Sequence, residues 1–297
     1  MPQGVIIKAL SGFYTVSTPE GVFTCKARGR FRHDGTSPLV GDRVEVLPEG
    51  EGKGRVEQVL PRRNRFIRPA VANIDQIIMF ASGANPVTDP FLIDRVTAIA
   101  SHCGCETVIC INKTDLDAAQ RLFEIYTAAG FPVVRTSAET GEGVEELRDL
   151  LRGRSSAFTG NSGVGKSSLL NRLAPELSVP VGEVSEKLGR GRHTTRHVEF
   201  FDLGEGTYIA DTPGFASYEV ELIEPIACDA LQYDFREFQP YLGRCRFQDC
   251  AHLKEPDCAV LSALAAGEIA PERHRSYQRL YEQAKAIPDW ELKKRNS

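Results

Sequence analysis

A chain of 297 residues is too long for one ordinary domain, so two or three units with buried cores of their own are expected. Its composition, 41% hydrophobic and 26% charged, is that of a soluble globular protein. No apolar run approaches the roughly 20 residues that cross a bilayer, and Met1-Pro2-Gln3-Gly4 is not followed by the basic and apolar stretches of a signal peptide, so a cytoplasmic protein with no membrane partner is expected.

The net charge of −4 is unevenly divided: residues 1–68 carry 12 Lys and Arg against 7 Asp and Glu, whereas 69–297 carry 24 against 33. A basic segment on an acidic chain suits a polyanionic partner, although a positive solvated surface gives the same count. Residues 4–60 show short strands at 5–10, 13–17, 22–27, 43–47 and 55–59, broken by Gly12, Gly21, Gly41 and Gly52. Five short strands in so few residues predict a small β-barrel of OB type or another small barrel. Lys26, Arg28, Arg30, Arg32 and His33 stand beside Phe31, and Arg62, Arg63, Arg65 and Arg68 follow, as nucleic-acid contacts would.

From about residue 69, apolar strands alternate with amphipathic helices, the pattern of a parallel sheet covered on both faces. Strands are predicted at 76–81, 107–111, 132–135, 156–159, 198–202 and 208–210, and helices at 90–101, 117–129, 143–151 and 166–173. After the second of these strands, Asn112-Lys113-Thr114-Asp115 has the N-K-x-D form. A carboxylate at Asp115 can accept from both N1–H and the 2-amino group of guanine, donors that adenine lacks. Asn112 would complement the other edge of the base, and the Lys113 stem would cover it. Ser137-Ala138-Glu139 matches a short loop whose backbone N–H supports guanine. Either motif alone also describes an ordinary polar turn.

Gly160-Asn161-Ser162-Gly163-Val164-Gly165-Lys166-Ser167, with Ser168 next, fits G-x-x-x-x-G-K-[ST] between a strand and a helix. The chemistry needs that placement. The glycines let backbone N–H groups surround phosphates, the helix N-terminus adds positive potential, Lys166 reaches the β- and γ-phosphates, and Ser167 ligates Mg²⁺. Asp211-Thr212-Pro213-Gly214 matches D-x-x-G, in which the Asp holds Mg²⁺ through water and the Gly214 N–H senses the γ-phosphate. Between these motifs, Gly189 to Arg196 is a polar, glycine-bearing stretch where a γ-phosphate-sensing loop belongs. Thr195, with Thr194 as the alternative, is expected to complete the Mg²⁺ shell. Phe215 stands where many GTPases place a catalytic Gln, which leaves His193 as the nearest polar candidate for orienting the attacking water; a partner's group or a flanking arginine could do the same.

Base motifs therefore precede phosphate motifs, the reverse of the usual order. All of these loops belong at the C-terminal ends of strands in one sheet, so the same site forms if the old termini are joined and the chain reopens elsewhere. The opening falls just after Gly214 and leads into a largely helical segment. There Cys245-x4-Cys250-x-His252-x5-Cys258 suits a closed tetrahedral zinc site. Cys25, Cys103, Cys105, Cys110 and Cys228 show no second metal spacing and are expected to be core or incidental. A last helix from Pro271 would place Tyr277, Leu280, Tyr281 and Ala284 on one face.

A basic barrel, the permuted motif order with Gly191-Arg192-His193-Thr194-Thr195, and the C-x4-C-x-H-x5-C module together closely resemble the RsgA (YjeQ) family of bacterial small-ribosomal-subunit biogenesis GTPases. The resemblance covers essentially the whole chain. It implies an OB-fold RNA-binding domain at 1–68, a circularly permuted α/β P-loop GTPase domain at 69–222 and a helical zinc-binding domain at 223–297. It also implies GTP and GDP as ligands, Mg²⁺ with the nucleotide, one structural Zn²⁺, and the 30S subunit with its 16S rRNA as partner, release being driven by hydrolysis. Phe215 agrees with the family's hydrophobic replacement, and a monomer is expected. A different class of function, a nucleotide-gated RNA-binding scaffold with incidental hydrolysis, is opposed by the intact phosphate loop, Lys166, Thr195 and His193.

Overall fold

Alternating inward-facing apolar residues build the N-terminal unit of the computed structural model, in which residues 1–28, 31, 37–67, 70–175, 198–211 and 226–287 are described. Strands β1 (Gln3–Leu10), β2 (Phe13–Thr18), β3 (Gly21–Ala27), β4 (Arg43–Gly50) and β5 (Lys53–Val59) pair in the order β1-β2-β3-β5-β4 and close through β1–β4. Only β3–β5 is parallel. Ile6, Val16, Cys25, Val44, Val46 and Val56 fill the interior with no exposure, and the barrel is of the OB type expected. Gly41 has φ +89°, and a Cβ there would lie 2.0 Å from the Ala72 carbonyl oxygen, so only glycine lets the barrel meet the segment that follows.

The basic residues of this unit are less available than their number suggests. Phe31 is buried in the core cluster. Arg28 pairs with Glu57 at 2.7 Å, Arg62 holds the fully buried Asp42 through two contacts of 2.7 Å, and Arg63 pairs with Asp75 at 2.5 Å. A charge count cannot separate such structural cations from a surface that faces a partner. Arg30, Arg32, His33 and Arg68 lie outside the described residues.

A hairpin of β6 (Arg65–Ile67) and β7 (Ala70–Ala72) leads into the central unit. There β8 (Gln76–Ala81), α1 (Pro90–His102), β9 (Glu106–Ile111), α2 (Gln120–Ala128), β10 (Val133–Arg135), α3 (Val144–Leu151), β11 (Ser155–Gly160), α4 (Lys166–Leu173), β12 (Glu199–Asp202) and β13 (Tyr208–Asp211) follow in turn. The sheet order is β10-β9-β8-β11-β13-β12. Ile77, Met79 and Ile109 face Ile93 and Val96 of α1, while Ile78, Phe80 and Val108 face Leu147 of α3 and Leu169 of α4. Both faces are covered, as a parallel sheet requires. Helix α2 starts three residues later than expected, because Asp117 accepts a hydrogen bond from the Ala119 amide at 2.7 Å and Ala119 takes φ 44°.

Strand β12 departs from the all-parallel expectation. It runs antiparallel to β13 and pairs on its other edge with β1, Lys8 opposite Glu199, so one sheet continues from the central unit into the barrel. After residue 225, 3-10 turns at Leu231–Asp234 and Arg236–Tyr241 precede α5 (Ala259–Ala265) and α6 (Pro271–Lys285). Leu231, Phe235, Phe238, Val260 and Tyr277 pack with Cys250, Cys258 and Ala98 of α1, so two of the cysteines also serve as core. No helix among the described residues is long and apolar enough to cross a membrane.

Candidate functional site

Backbone geometry comes first at the phosphate loop. Gly160 ends β11 with φ +139°, where a Cβ would lie 2.4 Å from the Phe80 carbonyl oxygen on β8. Gly163 and Gly165 have φ +77° and +99°, and a Cβ at Gly165 would lie 2.2 Å from Asn112 Nδ2. A side chain has no room at Gly160 or Gly165, and at Gly163 the positive φ strains any other residue. Val164 is fully buried and anchors the loop, while Ser162 and Gly163 are exposed. Lys166 folds its ammonium over the loop and donates to the carbonyls of Gly160 at 2.7 Å and Asn161 at 2.8 Å. Ser167 and Ser168 occupy the first turn of α4, half-buried.

The base motif reaches the same place from β9. Asn112 is buried; its Nδ2 donates to Val164 O at 2.8 Å, and its Oδ1 accepts from Thr136 Oγ1 at 3.2 Å and from the Ala138 amide at 3.1 Å. One carboxamide thus ties the 112–115 loop, the 137–142 turn and the phosphate loop together. Lys113 takes φ 64° and donates to Asn85 O at 2.6 Å, while Thr114 Oγ1 donates to Thr136 O at 2.9 Å. The exposed Asp115 carboxylate accepts from Ser137 Oγ at 2.6 Å. Two contributors escaped the sequence reading: Asn85, whose carbonyl receives Lys113, and Arg172, whose side chain donates to Ala138 O and Glu139 O. Each is joined to its partner only by the fold, so no local motif could have marked it.

The backbone of Asp211 ends β13, in register with Glu199. Its side chain, and His193, Thr194, Thr195, Gly214 and Phe215, lie outside the described residues.

At the metal centre, the ligand atoms of Cys245, Cys250, His252 and Cys258 all lie within 4.8 Å of one another. Cys245 Sγ stands 3.8 Å from Cys258 Sγ, and His252 Nδ1 stands 3.6 and 3.4 Å from those two sulfurs. Tetrahedral zinc with Zn–S bonds of about 2.3 Å has S···S edges of about 3.8 Å, so the donor set fits a Cys3His zinc site. Nδ1 faces the sulfurs, while Nε2 lies 2.9 Å from Gln232 Oε1, an acceptor that places the proton on Nε2 and leaves Nδ1 as ligand. Burial pushes the Cys250 thiol up to about 12 and lowers the His252 pKa, so zinc would displace thiol protons but find the imidazole already neutral. Among the described residues no other such cluster of metal-binding side chains occurs.

Comparison with known proteins agrees with this arrangement. The family described as RsgA GTPase matches residues 59–221, and that described as RsgA N-terminal domain matches 3–56. A relative from Caldanaerobacter subterraneus subsp. tengcongensis, named small ribosomal subunit biogenesis GTPase RsgA, is 44% identical over 95% of this chain and 96% of its own length. One of the same name from Ruminiclostridium cellulolyticum is 40% identical over 100% and 98%. The crystal structure of YjeQ from Thermotoga maritima superposes with TM-score 0.83 at 37% identity, covering 97% of this chain and 99% of that one. YloQ, described as a circularly permuted GTPase, does so with TM-score 0.81 at 34% identity, covering 97% and 96%.

Proposed function

The chain belongs to the RsgA GTPase family, and on that premise we propose how its own residues carry out the family's work. It is a GTP hydrolase of small-ribosomal-subunit maturation. The observation that carries this reading is the bond from Asn112 to Val164, which joins a base motif to a phosphate loop 52 residues later in the chain. Asp115 and the 137–139 loop hold guanine, with Asn112, Lys113 and Thr114 shaping the site around the base. Residues 160–168 hold the phosphates, Lys166 neutralises the β- and γ-oxygens, and Ser167 with Thr195 ligates Mg²⁺. Asp211 would hold Mg²⁺ through water, the Gly214 N–H senses the γ-phosphate, and His193 orients the water that displaces GDP.

Cys245, Cys250, His252 and Cys258 hold one zinc ion with no open position, so its role is structural. Residues 1–68 face 16S rRNA, 69–222 form the GTPase domain and 223–297 the zinc domain, in a monomer of the cytoplasm. The scaffold reading with incidental hydrolysis is not favoured by relatives that carry the name small ribosomal subunit biogenesis GTPase. Multiple-turnover GTP hydrolysis, measured with and without purified 30S subunits, tests the proposal. Subunits should accelerate the parent protein strongly, and His193→Ala should abolish most of that stimulation with little change in GTP binding. An unstimulated parent would defeat the assignment, and a fully stimulated variant would remove His193 from it.

A further inference from the structure

Arg172 lies in the last turn of α4, six residues beyond the lysine of the phosphate loop, and its side chain points to the base side of the site. Nε donates to Ala138 O at 2.6 Å and Nη2 donates to Glu139 O at 2.5 Å. Two donors of one planar guanidinium on consecutive carbonyl oxygens set both the distance and the orientation of the turn they hold. The end of α4 is itself steadied from α3, where Arg148 Nη2 donates to Arg172 O at 3.3 Å and to Leu173 O at 3.4 Å. Gly141 leaves room for the clamp, since a Cβ there would lie 3.2 Å from Arg172 Nη1.

The clamp determines where the amides of the turn point. A trans peptide aims its C=O and N–H in opposite directions, so drawing the Ala138 carbonyl toward α4 turns the Glu139 N–H away from that helix. The Ser137 amide donates to Glu142 O, the Ala138 amide to Asn112 Oδ1 and the Thr140 amide to Ser137 Oγ. Of the four amides from 137 to 140, only that of Glu139 meets no acceptor among the described residues. It is the donor left over for a ligand carbonyl.

We infer that Arg172 is a positioning residue for base recognition: from the phosphate-loop helix it holds the 137–140 turn so that the Glu139 amide meets the carbonyl oxygen of a 6-oxopurine. Nucleotide retention is thereby tied to the helix that receives the phosphates. The inference rests on the reading of 112–115 and 137–139 as the base site. Guanine and hypoxanthine share the 6-oxo group and differ in the 2-amino group, so a change at Arg172 affects both bases alike, whereas a change at Asp115 does not.

Stopped-flow dissociation of fluorescent GDP and IDP from the full-length protein tests this in the parent, Arg172→Met, Arg172→Lys and Asp115→Asn. Arg172→Met should release both nucleotides about tenfold faster, the loss of two exposed charge-assisted hydrogen bonds, with the effect on GTP hydrolysis falling on KM more than on kcat. Arg172→Lys, which keeps one donor, should lie between, and it decides the matter if the Met variant melts at a lower temperature. Release within twofold of the parent, faster release of GDP alone, or a loss confined to kcat would overturn the inference. Asp115→Asn is the control on the underlying reading: it should shift preference from GTP to xanthosine triphosphate. If it does not, the base site itself is misassigned, whatever Arg172→Met does.

Discussion

The barrel and the zinc module flank the same GTPase core but are joined to it in opposite ways. The barrel is attached by main-chain pairing of β1 with β12, supported by Lys8–Glu199 at 2.9 Å and a hydrogen bond from Ser17 Oγ to Asp202 at 2.9 Å. Both charges of that pair are more than 40% exposed. The zinc module is attached by Arg273, whose side chain is 1% exposed and which donates to Asp94 of α1 at 2.7 Å and to Glu237 at 2.6 Å. Tyr126 adds a hydrogen bond to Asp94 at 2.7 Å, and the guanidinium lies 4.6 Å from the Phe235 ring centroid. Burial alone would lower the Arg273 pKa, but the charges of Glu237 and Asp94 outweigh it and hold the group above its ordinary value.

The two joints also fall on different elements of the central unit. Strand β12 follows directly on the stretch expected to sense the γ-phosphate. The zinc module instead touches α1, β9 and α2 through Arg273, Arg236–Glu106 at 2.7 Å and Arg121–Glu272 at 2.8 Å. Chain order leads from the 211–214 loop into this module through residues 212–225, which lie outside the described residues. An exposed, backbone-made joint tolerates loss of a side chain, but a buried charge cluster does not.

The largest expected effect removes the metal, because the zinc module has no strand among the described residues. Chelation of zinc, or Cys250→Ser, should unfold residues 226–287 at a cost on the order of several kcal/mol, while the barrel, closed by its own strands, persists. Limited proteolysis with and without chelator reads this directly; equal resistance would mean that the Arg273 joint, not the metal, holds the module. Next comes Arg273→Met, which leaves two carboxylates without their buried cation and should cost about 3–5 kcal/mol in chemical denaturation. Lys8→Ala on the barrel joint should cost less than about 1 kcal/mol, and less again in high salt. A loss at Lys8 as large as that at Arg273 would erase the contrast between the joints.

Much of this molecule follows from its sequence because the controlling interactions are local. Gly160, Gly163 and Gly165 mark the phosphate loop through positive-φ backbone that glycine adopts without strain, and the alternation of buried Val44 and Val46 in β4 marks a strand through its two-residue period. Cys245, Cys250, His252 and Cys258 lie within 14 residues, near enough for spacing alone to suggest one ion. The permuted order of the motifs is likewise a property of the chain.

What the sequence left open is the partner of each charge and the join between units. Phe31 and Arg62 looked like surface contacts and are structural, while Arg172 and Arg273 carried no motif. Lys8 and Glu199 are separated by 191 residues, and Arg273 and Asp94 by 179. Only packing of the whole chain decides which cation is desolvated beside which carboxylate, since nothing within a few residues of either distinguishes a buried arginine from a solvated one.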